Sequence, residues 1–155
     1  MPNLFPIGEE VVSTETSEQQ IRTYGRSWKF DFDKGDFVLD PTGRVAEADS
    51  YTAWVQWCQK ALLTQRYRYL AYSSDYGSEY ENLIGKPYTR AAIESEIQRM
   101  TKEALLVNPY TQSVDNFTFE WKDDSVYFTC TITSALGETA TISRNIEEGG
   151  RLSAV

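Results

Sequence analysis

Three carboxylates, Asp75, Glu79 and Glu81, crowd one short aromatic stretch. A pair of carboxylates is the minimum equipment for glycoside hydrolysis, with one as the acid and the other as nucleophile or base. Nothing in the sequence forces either member of such a pair out of water, and a chain with 23 acidic residues carries carboxylates on many loops. A structural role accounts for the same residues, so a lysozyme-like peptidoglycan hydrolase using these loop carboxylates is the runner-up function. The chain has no histidine. That removes Ser-His-Asp and Cys-His nucleophile systems and imidazole zinc sites. Cys58 and Cys130 lie far apart without metal-ligand spacing, each inside an apolar pattern, which favours buried free thiols over a disulfide. Gly149-Gly150 has no helix after it and makes no phosphate loop. No catalytic, cofactor-binding or metal-ligating residue is assigned.

Arg66 and Arg68 alternate with Tyr67 and Tyr69, a pattern that on a sheet face can stack RNA bases. The net charge of −8 argues against it, because nucleic-acid binders release counterions from a basic face. Salt bridges or an interface arginine fit better. Tyr67, Tyr69, Tyr72, Tyr76, Tyr80 and Tyr88 fall within about twenty residues. Burying them all needs a partner for every hydroxyl, whereas a protein interface buries the ring faces and keeps the hydroxyls wet.

The elements that must position these residues follow from periodicity. Trp28, Phe30 and Phe32 alternate with polar residues as a strand, residues 33–36 turn, and residues 37–39 return as a hairpin. A helix is expected over about residues 47–63, capped by Asp49 or Ser50, with Ala48, Tyr51, Val55, Cys58 and Leu62 as its apolar stripe and Trp54 and Trp57 widening it. A second helix over about residues 89–106 carries Ile93, Ile97, Met100 and Ala104 and stops at Asn108-Pro109. Residues 66–72 read as an aromatic strand between the helices. Phe117 to Trp121, Val126 to Thr133 and Thr139 to Ser143 read as an antiparallel meander. The fold class is therefore α+β, a mainly antiparallel sheet with two helices on one face.

At 155 residues the chain fits one domain. Residues 1–26 read as an extended arm, 27–144 as the folded domain and 145–155 as a flexible tail. No run approaches the roughly 20 apolar residues of a membrane span, and no basic segment opens the chain, so it is expected on the cytoplasmic side.

Residues 67–86, from Tyr67-Arg68-Tyr69 through Ser73-Ser74-Asp75-Tyr76-Gly77-Ser78-Glu79 to Leu83-Ile84-Gly85-Lys86, resemble the signature of a contractile phage and prophage tail family. Its T-even branch is the baseplate wedge protein long described as a tail lysozyme. The pattern continues as a second helix and a V-x-x-F-x-F strand, here Val114 to Phe119, and spans roughly residues 26–135. The resemblance implies a structural, non-enzymatic baseplate component and sheath initiator without a cofactor. Its implied partners are baseplate wedge proteins, the tail sheath protein and tube or hub-proximal proteins, with no nucleic acid and no membrane. Six copies around the tail and assembly in the bacterial host cytoplasm are implied too, for a phage or a phage-tail-like bacteriocin. The T-even branch carries Glu-Pro-Arg after the second helix as a wedge contact, where this chain has Asn108-Pro109-Tyr110. Arg66, Arg68 and Arg90 are the arginines available to replace it, and Arg66, Arg68, Tyr69, Tyr76, Pro109 and Tyr110 are the wedge-interface candidates. Residues Thr139, Ala140, Thr141, Ile142 and Ser143 lack the lysine, proline or bulge that guards natural edges, and are the candidates for adding a sheath strand.

Overall fold

Asp49 ends an extended approach and its carboxylate accepts from the Thr52 N–H at 2.7 Å, which starts helix α1 (Ser50–Leu63). Burial falls on Trp54, Cys58, Ala61 and Leu62, spaced for one helical face. The expected stripe shares Cys58 and Leu62 with this face, but its centre moves from Tyr51 and Val55 to the flanking Trp54. Trp54 is the largest fully buried side chain, and seating it under the sheet turns Tyr51 to the surface. Ala48 is buried, but from the two-residue strand β4 (Glu47–Ala48) rather than from the helix. Thr89 caps α2 (Arg90–Leu106) through its hydroxyl, and Ile97, Met100, Ala104 and Leu105 form the buried face, with Ile93 of the expected stripe only partly buried beside it.

The computed structural model describes residues 24–83, 85–147 and 152–153. Most of the expected N-terminal arm, residues 1–23, lies outside them. Strand β1 (Ser27–Trp28) pairs with β4, and β2 (Phe30–Asp31) pairs with β3 (Asp36–Phe37) in the expected hairpin. This subdomain is less buried than its alternation suggested: Trp28 and Phe37 are each about half exposed, at 54% and 48%.

The main sheet runs β5 (Thr111–Lys122), β6 (Ser125–Ser134), β7 (Thr139–Glu147), β8 (Leu152–Ser153) in order, all antiparallel. The α+β architecture thus has both helices on the face that carries Val126, Phe128, Cys130 and Ile132. Trp54 donates its indole N–H to Thr111 Oγ1 at 2.9 Å, tying α1 to the start of β5. Tyr80 shares a 2.6 Å hydrogen bond with Thr101, tying the loop before α2 to that helix. The C-terminal boundary differs from expectation. β7 continues through Glu147, and β8 pairs with it at Asn145 and Ile146, so residues 145–147, 152 and 153 belong to the sheet.

Both cysteines are buried free thiols. Loss of hydration pushes each up to about 12 from an ordinary 9.0. A group whose neutral form is favoured by burial contributes its full stability below the unfolded value. It loses that contribution as the pH rises from about 9 toward 12. We expect urea midpoints to fall between pH 8 and pH 10.5. We expect a thiol reagent at pH 8 to label neither Cys58 nor Cys130 until urea unfolds the chain; rapid labelling of the native protein contradicts this.

Candidate functional site

The aromatic segment 66–72 is not a strand. It contains no Val, Ile or Thr, and its side chains find no covering layer: Tyr67, Tyr69 and Leu70 are 70%, 52% and 106% exposed. The segment instead belongs to a loop pinned at its base. Ser78 N–H donates to Thr64 C=O, Arg66 N–H donates to Ser78 C=O, and the Ser78 hydroxyl donates to Leu62 C=O at the end of α1. Gly77 makes that closure possible. Its φ is +106°, and a Cβ there would lie 2.7 Å from the Thr64 carbonyl oxygen and 2.9 Å from Arg66 N.

The signature residues therefore build the loop from inside. Arg66 Nε donates to Gly77 C=O, and its guanidinium lies 3.7 Å from Glu79. Tyr76 packs edge-on against Trp57 and stacks with Tyr72, their ring centroids 5.5 and 4.6 Å apart. Burial raises the Tyr76 phenol above its ordinary value. Of the wedge-interface candidates, Arg68, Tyr69 and Pro109 stand at the surface. Arg66 is turned inward, Tyr76 is half-buried, and Tyr110 is a core residue between Tyr24 and Trp54. The last three serve packing first. Among the loop carboxylates, Glu79 sits in an ion pair instead of the apolar pocket a general acid needs, and Asp75 and Glu81 are exposed.

The second candidate region is the outer edge of β7. Ser134 N–H donates to Glu138 C=O at 2.8 Å, which sets the phase of the β6–β7 ladder. Ala140, Ile142 and Arg144 direct their backbone polar groups to β6, and Thr139, Thr141 and Ser143 direct theirs outward. The Thr139 carbonyl is taken by the Tyr51 hydroxyl at 2.9 Å, and β8 begins its pairing at Asn145. Thr141 and Ser143 lie between these two, and among the described residues no strand pairs with them on that side. A groove of about 390 Å³ follows this edge, lined across from Thr141, Ser143 and Arg144 by residues 29–33 of the N-terminal hairpin and by Gln59.

The opposite edge of the sheet is built differently. β5 has two breaks in register, a positive φ at Asn116, and Asp115, Glu120 and Lys122 along its length. Those are the devices that deter strand pairing. Among the described residues, one margin of the sheet is protected and the other is left unpaired at Thr141 and Ser143.

With this geometry in view, the sequence profile of contractile injection system sheath initiators matches residues 26–137. The chain belongs to the sheath initiator family. The match covers the loop, both helices, β5 and β6. No curated protein matches the chain. Membership makes this a structural component of a contractile injection system, located at the baseplate of the particle.

Arg144 is the site residue that sequence reasoning passed over. It shares the parity of Ala140 and Ile142, a charge on the core face of a strand, and that was the available signal. We expect Gly77→Ala to lower unfolding free energy by at least about 1–3 kcal/mol, because the left-handed backbone strain adds to the overlap with Thr64. Urea denaturation checks it; a variant as stable as the parent would mean that the loop base relaxes freely.

Proposed function

We propose that this sheath initiator joins the inner baseplate wedge through its aromatic loop and nucleates sheath assembly by accepting a sheath strand on the free edge of β7. The observation that carries the reading is the contrast between the two sheet margins. β5 is broken and charged, while Thr141 and Ser143 keep outward backbone groups beside a groove. Main-chain hydrogen bonds supply affinity in strand addition, and alternate side chains supply register. Here Ala140 and Ile142 would meet the inward side chains of the added strand.

For the wedge contact, support comes from exposed apolar and cationic surface concentrated on one loop. Tyr67, Tyr69 and Leu70 with Arg68 have the composition of protein interfaces. Arg66 and Tyr76 act beneath them as positioning residues, and Pro109 lies at the exposed turn after α2. The partners are then wedge proteins on the loop, the sheath protein on β7, and tube or hub-proximal proteins nearby. Six copies follow from a six-fold tail. The particle is a phage or phage-tail-like bacteriocin, and assembly takes place in the host cytoplasm.

Thr141→Pro removes one outward donor and leaves the β6–β7 ladder bonds untouched. We expect the variant to fold and to join baseplates, with sheath-bearing particles reduced by about tenfold or more, the cost of a lost and unsatisfied hydrogen bond. Electron microscopy of assembled particles gives the count; normal sheath on baseplates carrying the variant would remove this edge as the initiation site. In the same frame, purified protein should release no soluble fragments from peptidoglycan. Cleavage that disappears in Glu79→Ala would establish a hydrolase.

A further inference from the structure

Arg144 is only 3% exposed, yet among the described residues no carboxylate lies within ion-pair distance of it. Nη2 donates to the Gln59 carbonyl at 2.9 Å, and Nη1 makes a long 3.5 Å contact with the Ser143 carbonyl. Nε is buried and, among the described residues, has no hydrogen-bond partner. A guanidinium has five N–H donors and stays charged, so this one is under-satisfied in a place where burial is costly. It also lines the groove beside the free edge of β7.

The other charges on that groove do not answer it. Asp31 is engaged by the Asp33 and Lys34 N–H groups of its own turn and by the Lys34 ammonium. Asp33 faces Arg144 across the groove beyond ion-pair distance, and Lys29 adds a second positive charge.

We propose that Arg144 sets the register of the docked strand by pairing with an Asp or Glu side chain on that strand. This deepens the strand-addition reading above and rests on it. Arg144 lies on the same face of β7 as Ala140 and Ile142. A strand added along Thr139 to Ser143 places its inward side chains opposite Ala140 and Ile142, and the residue opposite Ile142 is the diagonal neighbour of Arg144. Beyond that point β8 occupies the edge. The partner strand therefore carries an apolar residue opposite Ala140 and, two positions along, an acid directed at Arg144. A slip of one residue would turn the acid to the outer face and leave the guanidinium unpaired.

A double-mutant cycle with the cognate sheath protein tests this. Arg144→Met keeps the aliphatic volume and removes the charge, and Arg144→Lys keeps the charge and loses the fork. Each Asp and Glu of the sheath protein is changed to Asn or Gln in turn, and binding to full-length initiator is measured. We expect Arg144→Met to fold at least as stably as the parent and to bind sheath protein about tenfold or more weakly. Arg144→Lys should be intermediate. One sheath substitution should weaken binding to the parent by a similar factor and have no further effect on Arg144→Met. If Arg144→Met folds and binds as the parent does, or if no acidic residue couples to it, the inference is wrong. Should Arg144→Met unfold, the coupling is read from Arg144→Lys, whose unchanged affinity for every sheath variant would equally refute it. Thr141→Pro separates the two levels. Loss of binding there with an indifferent Arg144 leaves strand addition standing and removes only the role of the arginine.

Discussion

β6 is hydrogen-bonded on both sides and buries Val126, Phe128, Cys130 and Ile132 against the helices, so its register cannot slip by one residue without exposing all four. Every other feature of the sheet takes its phase from that strand. Because β7 pairs with it from Ser125–Glu147 to Thr133–Thr139, Ile142 and Arg144 are forced to the core face, and Thr141 and Ser143 must turn their backbone groups outward. An apolar alternation on the central strand thus decides which atoms a partner can meet on the outer one.

The same strand forces a solution on β5. Val114 and the run Phe117, Phe119, Trp121 have opposite parity, yet all of them face the helices. The chain reconciles them with a register break between Asp115 and Thr118 and a left-handed residue at Asn116. One local distortion therefore does two things. It brings both halves of a twelve-residue strand onto the core, and it spoils that margin as a template for a stray strand.

The aromatic loop shows how a short sequence pattern carries shape instead of chemistry. Ser78 and Gly77 fasten the loop to the end of α1, Arg66 and Glu79 brace it, and Tyr76 supports Tyr72. These inward tasks occupy the residues that look most reactive in the sequence. Tyr67, Tyr69 and Leu70 stay exposed, with Tyr69 edge-on to Tyr72 at 6.2 Å.

Sequence alone determined the α+β class, both helices with a first-helix cap at Asp49 or Ser50, and the β5–β6–β7 meander. All of these depend on neighbours close along the chain: a period, a cap, a turn. It misjudged whatever depended on distant neighbours. Tyr51, expected at the centre of the stripe, turned to the surface and Trp54, expected at its flank, took the buried centre, because the sheet above α1 had room for the indole beside Thr111. Residues 66–72 alternate like a strand, but among the described residues no strand pairs with them, and Tyr67 takes a left-handed φ of +67° that breaks the extended run. Arg144 could be assigned to the core face by parity. That it is buried beside a groove with an unmatched donor was decided only when the N-terminal hairpin, α1 and β7 came together. Local interactions are written in adjacent residues, whereas exposure and pairing are properties of whatever the fold brings alongside.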